Sequence, residues 1–222
     1  MKAVTDAEDR TGRMRGLIAR RAPVAAAPGV PEIRLHQAQP TSGLSRLADA
    51  GGTGETPFWA FAWAGGIALA RHVLDHPHLV AGRCVLDLGT GSGLVAIAAA
   101  KAGARAVFAS DVDPAAIAAT ELNAAINGVA VASMQRDVTP GAPPPGVSIV
   151  LAGDVFYDRA LARRMLAFLQ RCAASGIDVL IGDPDRAPLP RNVLRRVARY
   201  QTGDVGEPCA RPSYIYALRR LT

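Results

Sequence analysis

The feature that most constrains the fold is a short apolar strand that runs directly into a glycine-rich turn, RCVLDLGTGSG at residues 83–93. A predicted helix, GLVAIAAAKAG, follows at residues 93–103, and the next apolar run, RAVFASD, ends at Asp111. A strand, a glycine turn, a helix and a second strand in this order predict a parallel βαβ unit. The glycines would let the backbone approach a ligand closely, and the helix would direct its first N–H groups toward that ligand.

The same alternation of strands and helices continues toward the end of the chain. Further helices are predicted at residues 113–128, 159–176 and 191–200, and further strands at residues 131–137, 147–153, 178–183 and 213–219. Apolar strands separated by helices predict an α/β protein with a mostly parallel sheet and helices on both faces. Ligands on such a sheet bind at the carboxyl ends of the strands, near the point where the strand order reverses. The residues that end each strand are therefore the first candidates for function.

The first part of the chain lacks this alternation. Residues 1–50 are rich in Ala, Arg, Pro and Gly without a sustained hydrophobic period. We expect a loosely ordered N-terminal lead-in with one short helix and an extended piece, PEIRLHQ. Residues 51–222 are predicted to form one domain, because a chain of 222 residues that is 50% hydrophobic can bury a full core.

Composition narrows the class of protein. The net charge is +6, supplied almost entirely by arginine, but no aromatic-and-basic pattern typical of an RNA-binding sheet accompanies it, so we do not expect nucleic acid as a partner. No apolar run is long enough to span a bilayer, and the N-terminus does not read as a signal peptide, so no membrane partner is expected. The three cysteines, Cys84, Cys172 and Cys209, are widely spaced, which predicts a reducing compartment with neither a disulfide framework nor a metal site. We expect a cytoplasmic protein.

Three aspartates each end a predicted strand: Asp87, Asp111 and Asp137. Asp111 lies about 20 residues after the glycine turn, the spacing expected of an acid that accepts hydrogen bonds from a ribose. The alternative for any one of them is a structural role as a helix N-cap, a role that Asp113 before Pro114 fits well. Three acids at three strand ends favour a ligand site over chance surface acids.

The spacing of the glycines indicates which cofactor the turn would bind. A dinucleotide site has the pattern G-x-G-x-x-G, whereas Gly89, Gly91 and Gly93 give G-x-G-x-G. Asp87 stands two residues before the first glycine and would repel a pyrophosphate. S-adenosylmethionine carries an ammonium and a sulfonium and has no phosphate, so both features favour it as the cofactor.

Six motifs carry a resemblance to a known family. VLDLGTGSG, ASDVDP and RDV, within residues 85–138, resemble the seven-strand S-adenosylmethionine-dependent methyltransferases. TPFWAFAWAGGIALARHVLDHP, residues 56–77, is similar to the helix that opens the domain in the branch that methylates lysines in proteins. LAGDVFYD, residues 151–158, resembles that branch's acid-x-x-aromatic signature after the fourth strand. With LIGDPDR, residues 180–186, the chain is most similar to the bacterial form of the methyltransferases that act on the electron transfer flavoprotein β subunit.

This resemblance covers about residues 56–218 and implies a fold, an activity and a site. The fold would be a Rossmann-like seven-strand sheet. The activity would be transfer of methyl groups from S-adenosylmethionine to lysine side chains of a protein, with the electron transfer flavoprotein β subunit as the expected protein partner. The cofactor site would be formed by Trp63, Asp87, Gly89, Gly91, Gly93, Asp111, Val112, Asp137 and Val138. Asp154 and Tyr157 would be catalytic and would line the mouth where a lysine approaches the methyl group.

The acid and the aromatics at the mouth have different expected roles. A carboxylate at Asp154 favours the charged form of a lysine, so we expect it to capture and orient the lysine and not to deprotonate it. Tyr157 and Phe156 could offer an aromatic face to a cationic amine, with Phe156 as a wall of the site or as core. Asp158 is expected to be the N-cap of the helix at residues 159–176.

Three neighbouring residues are assigned structural roles. Phe58 and Trp59 are interpreted as core. Asp183 resembles the family pattern, but its default role is that of a turn residue or N-cap, because the residues around it imply no chemistry.

Other functions on the same fold stay open at this point, since fold alone does not fix the substrate. A small-molecule amine N-methyltransferase would use the same aromatics around a planar amine. A ribosomal-protein methyltransferase could use the arginine-rich N-terminus to dock on ribosomal RNA. A cofactor-binding scaffold without catalysis is disfavoured by the acid and the aromatics at the reaction end. An RNA base methyltransferase is disfavoured because GDVFY, at residues 153–157, replaces the N-P-P-aromatic signature of that class.

Overall fold

The computed structural model describes residues 2–38, 57–203 and 210–218, with side chains from residue 12 onward. In chain order the helices are α1 (Lys2–Arg21), α2 (Ala64–Asp75), α3 (Leu94–Lys101), α4 (Pro114–Ile126) and α5 (Arg159–Ala174). The strands are β1 (Val24–Ala27), β2 (Val30–His36), β3 (Cys84–Leu88), β4 (Ala106–Asp111), β5 (Ala132–Gln135), β6 (Ile149–Gly153), β7 (Asp178–Asp183), β8 (Leu194–Thr202) and β9 (Arg211–Leu218). Short 3-10 turns cover Phe58–Ala60, Pro77–Leu79 and Arg191–Val193.

The main sheet has seven strands in the order β5-β4-β3-β6-β7-β9-β8. Strands β3 to β7 are mutually parallel, and β9 is antiparallel to both of its neighbours, β7 and β8. The chain proceeds outward from β3 to β5 and then returns to the other side of β3 with β6. The strand order therefore reverses between β3 and β6, and the carboxyl ends of these two strands mark the expected ligand crevice.

Helices cover both faces of this sheet, as the sequence predicts. Helices α2 and α3 pack on one face with β2, in a core that contains Ile33, Leu69 and Ile97. Helix α5 packs on the other face, where Phe168 and Leu169 are fully buried. The strands between them are apolar on both sides for this reason: all five residues of β3 are buried. Within the described residues, no helix has the length and apolar character needed to cross a bilayer.

The described part of the lead-in is packed on the domain. Helix α1, which is 20 residues long, docks on α4 through the fully buried Ile18, and β1 pairs with β2 in an antiparallel hairpin. The backbone N–H of His36, at the end of β2, donates to Asn123 Oδ1 on α4 at 2.7 Å. The predicted extended piece PEIRLHQ thus lies mostly in β2. Residues 39–56 lie outside the described part of the chain, and the domain boundary near residue 50 stays a prediction.

The predicted helix at residues 191–200 is wrong. A 3-10 turn at Arg191–Val193 leads into strand β8, which pairs with β9 along its length and forms the edge of the sheet. On a strand the arginines divide between the two faces: Arg195 pairs opposite Ala217, whereas Arg196 pairs opposite Tyr216. The Arg196 guanidinium lies 3.6 Å from the Tyr214 ring centroid. This long-range pairing with β9 overrides a local pattern that is compatible with a helix.

Candidate active site

The glycine-rich turn after β3 lies at the point where the strand order reverses. Gly89, Gly91 and Gly93 all have positive φ, at 69°, 53° and 82°. A Cβ at Gly91 would meet nothing within 4 Å, so open space lies in front of this backbone. A Cβ at Gly93 would lie 3.1 Å from three atoms of Thr120 on α4, so this glycine also permits close packing. The turn therefore presents bare backbone to the crevice at the start of α3.

The side chain of Asp87, on β3, holds this turn by hydrogen bonds. Its carboxylate is buried, and Oδ2 accepts hydrogen bonds from Thr90 Oγ1 at 2.6 Å and from the Ala96 backbone N–H at 3.0 Å. Burial raises the pKa of Asp87 to about 7. Its contact with the amino-acid part of a cofactor stays a prediction, because the observed partners belong to the turn and to the first turn of α3.

Asp111 joins the end of β4 to the glycine turn. Its Oδ2 accepts from the Gly91 backbone N–H at 3.0 Å, and its Oδ1 accepts from the Asp113 backbone N–H, also at 3.0 Å. Val112 beside it is 63% exposed, which leaves an apolar surface at the rim of the crevice. Asp113 caps α4 by accepting from the Ala115 backbone N–H at 2.7 Å, so its predicted N-cap role is confirmed.

Asp137 and Val138 follow β5 at the same edge of the sheet. Asp137 Oδ1 accepts from the backbone N–H and the hydroxyl of Thr139, at 2.9 and 2.6 Å, and Oδ2 lies 3.6 Å from Arg164 Nη1. Burial opposes ionisation of Asp137, but the hydrogen bonds from Thr139 and the nearby Arg164 hold its pKa below the usual value. The Val138 side chain is buried in the core, so any contact of this residue with a ligand would be through its backbone.

Asp154 ends β6 and meets the beginning of α2. It has a positive φ of 57°, uncommon for a residue other than glycine. Its Oδ1 accepts from the Gly65 backbone N–H at 3.1 Å and from Arg186 Nη1, and its Oδ2 accepts from the Gly66 backbone N–H at 2.5 Å. The side chain is 11% exposed, and burial raises the pKa of Asp154 despite the favourable charge of Arg186. Asp154 is thus held by a helix N-terminus and an ion pair.

The two halves of the candidate site are in contact. A Cβ at Gly89 in the glycine turn would lie 3.3 Å from Val155 Cγ1 in the GDVFYD segment. The glycine turn after β3 and the segment after β6, which carry the predicted cofactor and catalytic residues, therefore lie next to each other.

An aromatic cluster lies at the rim beside Asp154. Tyr157 is 53% exposed and stacks on Phe58 with a centroid distance of 5.7 Å and an interplanar angle of 26°. Phe58 is in turn 5.8 Å from the Trp63 ring, whose Nε1 donates to the Phe58 carbonyl at 2.9 Å. Tyr157 and Trp63 thus both contact the Phe58 ring, and their roles at the site stay predictions. Phe156 is fully buried and belongs to the core.

The exposure of neighbouring side chains decides the predictions made for them. Trp59 is buried, so its assignment to the core is confirmed, but the same assignment for Phe58 is wrong, because this ring is 47% exposed. The sequence signal that could have separated them is the position of Phe58 directly after Pro57, where the chain starts a single 3-10 turn that can bury only some of its side chains. Asp158 caps α5 by accepting from the Ala160 and Leu161 backbone N–H groups, as predicted.

Asp183 and Arg186, after β7, complete this end of the crevice. Asp183 is fully buried and its Oδ1 accepts from the Arg186 backbone N–H at 2.7 Å, which agrees with its expected role as a turn residue. Its Oδ2 lies 3.6 Å from Arg186 Nη1 and accepts no hydrogen bond within the described residues. Burial raises the pKa of Asp183 to about 6. Sequence reasoning missed Arg186 because its contact with Asp154 spans 32 residues and depends on the pairing of β6 with β7.

Solved structures give the class of this fold. The magnesium protoporphyrin IX methyltransferase of Synechocystis with bound SAH matches with a TM-score of 0.53 at 16% identity, over 82% of this chain and 88% of that chain. The Pyrococcus abyssi tRNA (uracil-54, C5)-methyltransferase in complex with S-adenosyl-L-homocysteine matches with a TM-score of 0.52 at 22% identity, over 69% of this chain and 38% of that chain. The protein therefore has the Rossmann-like, seven-strand methyltransferase fold.

Sequence comparison gives the family within that class. The electron transfer flavoprotein beta subunit lysine methyltransferase of Xenopus laevis is 40% identical over 183 residues, 80% of this chain and 74% of the relative. The Danio rerio protein of the same name is 45% identical over 153 residues, 67% of this chain and 59% of the relative, and the Caenorhabditis elegans homolog is 31% identical over 78% of this chain and 76% of that protein. The chain belongs to the electron transfer flavoprotein beta subunit lysine methyltransferase family, which confirms the resemblance read from its motifs.

Two further observations qualify the match. The chain spans only about half the length of some curated relatives, including 50% of the Homo sapiens protein and 51% of the Rattus norvegicus protein. Residues 69–152 also match the family model described as ribosomal protein L11 methyltransferase (PrmA).

Proposed function

We propose that the protein transfers methyl groups from S-adenosylmethionine to lysine side chains of the electron transfer flavoprotein β subunit. The relatives that cover most of the chain carry this substrate in their names. The observation that carries the proposal is the contact between the glycine turn and the GDVFYD segment. A Cβ placed on Gly89 would lie 3.3 Å from Val155 Cγ1. That contact juxtaposes a cofactor-type turn with an acid and exposed aromatics suited to an amine.

The residues around the crevice fit S-adenosylmethionine. Asp111 has carboxylate lone pairs beyond those used by Gly91 and Asp113, and these can accept from ribose hydroxyls. The exposed Val112 offers an apolar surface to the adenine, and the ionised Asp137 can accept from its amino group. The open space before Gly91 leaves room for the amino-acid part, and Trp63 would close the methionine end.

The reaction needs an uncharged lysine nitrogen in line with a methyl group. The cofactor supplies that methyl on a positively charged sulfur, so the N–C bond forms as the S–C bond breaks. A lysine with a free pKa of about 10.4 must lose its proton first, and an apolar, cationic surrounding lowers that pKa. In this proposal Asp154 attracts and orients the arriving ammonium, and the rings of Tyr157 and Phe58 attract the cation by about 0.5–2 kcal/mol. Positioning of the two reactants then supplies much of the rate.

Ribosomal protein L11 is the second candidate substrate. The match of residues 69–152 to the L11 methyltransferase family model favours it, as does a Pelobacter propionicus relative named ribosomal protein L11 methyltransferase, 34% identical over 116 residues. That relative is covered over only 37% of its length, and the shared segment ends before Asp154 in the family model. The flavoprotein subunit is therefore the leading substrate.

Methylation of purified substrates distinguishes the two. The protein is incubated with radiolabelled S-adenosylmethionine and either electron transfer flavoprotein or ribosomal protein L11, each with an Asp154→Ala variant as background control. We expect label on lysines of the flavoprotein β subunit and none above background on L11. Label on L11 alone, or only on small molecules, would overturn the proposal.

We also propose a reducing, cytoplasmic location, in keeping with the free, buried thiols of Cys84 and Cys172; Cys209 lies outside the described residues.

A further inference from the structure

Three charged side chains meet beneath the aromatic rim, and their pairing is uneven. Arg186 Nη1 is hydrogen-bonded to Asp154 Oδ1 and lies 3.6 Å from Asp183 Oδ2, a distance too long for a hydrogen bond. Asp183 is fully buried, and its Oδ2 is the buried side-chain oxygen within the described residues that accepts no hydrogen bond. A buried carboxylate oxygen without a donor costs free energy, so its retention calls for a physical reason.

We propose that Asp183 is a positioning residue that receives Arg186 when a substrate ammonium takes the place of Arg186 at Asp154. The inference rests on the proposed function, since it assigns a route by which a cationic lysine gains access to Asp154. The cluster would then be a two-position site for one resident cation, with Asp154 as its partner before substrate binding and Asp183 as its partner afterwards.

The distances make this exchange small. A charge-assisted N–H···O hydrogen bond is about 2.7–2.9 Å long, so Nη1 needs to move by less than about 1 Å to reach Asp183 Oδ2 from 3.6 Å. The backbone N–H of Arg186 is already held by Asp183 Oδ1 at 2.7 Å, so the turn that carries the guanidinium stays in place during the movement. The Arg186 side chain is 22% exposed, so its ion pair with Asp154 is not sealed from solvent.

Electrostatics gives the exchange its direction. If a lysine ammonium approached Asp154 Oδ1 with Arg186 still bound there, two cations would share one oxygen beside the charged sulfur of the cofactor. Movement of Arg186 toward Asp183 separates the cations, gives each its own carboxylate, and supplies the donor that Asp183 Oδ2 lacks before substrate binding. An uncharged side chain would not displace Arg186, so the cluster would also select for a cationic head group.

Steady-state kinetics of an isosteric variant tests the inference. Asp183→Asn keeps the oxygen that accepts from the Arg186 backbone N–H but replaces the second oxygen with an NH2 group that cannot accept from the guanidinium. We expect the KM for the flavoprotein β subunit to rise about tenfold or more, as for loss of a hydrogen bond to a charged group, with kcat changed by less than about twofold. The dissociation constant for S-adenosylhomocysteine should stay the same. The matched control is Asp185→Asn in the same turn, where a φ of 72° suits asparagine, and this variant should keep the wild-type KM.

Three possible results of these kinetics would contradict either the proposed function or the role of Asp183. A wild-type protein that does not methylate the subunit contradicts the proposed function. An active wild type with an unchanged KM in Asp183→Asn overturns the role of Asp183 and leaves the proposed function intact. A higher KM together with a lower kcat and a lower cofactor affinity in Asp183→Asn indicates that the whole site is disturbed. This result likewise overturns the role of Asp183.

A measurement on the wild type covers the case in which Asp183→Asn does not fold. The guanidinium ¹⁵N resonances of Arg186 are followed while a lysine-containing peptide from the substrate is added in the presence of S-adenosylhomocysteine. We expect them to shift on saturation with the lysine peptide and to stay unchanged with a norleucine peptide of the same sequence. Equal responses to both peptides, or to neither, would contradict the exchange of partners.

Discussion

Asp111 Oδ2 accepts a hydrogen bond from the Gly91 backbone N–H at 3.0 Å, so the acid at the end of β4 fixes the centre of the glycine turn that follows β3. One carboxylate thereby joins the second strand of the βαβ unit to its first turn. The acid that the sequence assigns to the cofactor ribose also shapes the backbone that would face the methionine end.

Asp111→Ala is expected to weaken cofactor binding by about tenfold or more, because it removes both the acceptor proposed for the ribose and the hydrogen bond that holds Gly91. Isothermal titration with S-adenosylhomocysteine measures this. Asp113→Asn is the matched control, since asparagine is an equally good N-cap for α4 and the cofactor affinity should not change. Unaltered affinity in Asp111→Ala would remove this residue from the cofactor site.

Asp154→Ala is expected to abolish methylation while cofactor affinity stays nearly intact. It should also lower the free energy of unfolding by about 2–4 kcal/mol, because the Gly65 and Gly66 N–H groups and Arg186 lose their acceptor. Titration with S-adenosylhomocysteine, a methyl-transfer assay and urea unfolding measure the three quantities. Equal loss of cofactor binding and methylation would assign Asp154 to the cofactor site.

Tyr157→Ala is expected to raise the KM for the protein substrate by about two- to fivefold, the size of an exposed cation–π attraction. Tyr157→Phe keeps the ring over the amine and should stay near the wild-type value. Because the ring is more than half exposed but stacks on Phe58, Tyr157→Ala should lower the free energy of unfolding by no more than about 1.5 kcal/mol, the size of one aromatic pair. A phenylalanine variant as impaired as the alanine variant would assign the function to the hydroxyl.

Ile18→Ala is expected to lower the free energy of unfolding by about 2–5 kcal/mol, because the side chain that docks α1 on α4 is fully buried. Ile126→Ala on the exposed end of α4 is the control and should cost less than about 1 kcal/mol. Urea unfolding of both variants gives the comparison. Equal, small effects would mean that α1 contributes little to the stability of the domain.

Stability should also depend on pH through His72. Burial, followed by the nearby charge of His76, lowers the pKa of His72 from 6.5 to about 4, and its Nδ1 lies 2.9 Å from the Tyr200 hydroxyl. Below pH 6.5 the unfolded chain binds a proton that the folded protein does not, so the contribution of this group is complete above pH 6.5 and is lost as the pH falls toward 4. We expect His72→Gln to be less sensitive than the wild type to a change from pH 7.5 to 5, by about 1–2 kcal/mol in urea unfolding. The neighbouring Asp75 and His78 remain in both proteins, so a variant as sensitive as the wild type would exclude His72 as the source.

The parts of the fold set by local pattern were predictable, and those set by distant pairing were not. Asp87 and Asp111 end apolar runs that are strands in the structure, and the caps Asp113 and Asp158 follow from residue type and position. The composition of residues 191–200 predicts a helix, but pairing with β9 decides the structure of β8.

The same distinction applies to the site. Asp154 and Tyr157 are predicted from a short signature, but the partners of Asp154 come from α2 and from the turn after β7. The stacking of Phe58 on Tyr157 joins residues about 100 positions apart in the chain. Neither contact leaves a trace in local spacing.

The close approach of α2 to β7 has a consequence for how such an enzyme can diverge. A Cβ at Gly65 would lie 2.3 Å from the Gly182 carbonyl oxygen, and a Cβ at Gly182 would lie 2.1 Å from that of Gly65. Substitution at either position would force the two backbones apart and displace the N–H groups that hold Asp154. Retention of the hydrogen bonds that hold Asp154 therefore requires both glycines. Acceptance of new amine substrates would come from substitution of the exposed residues Phe58 and Tyr157. Such substitutions cost the domain little stability.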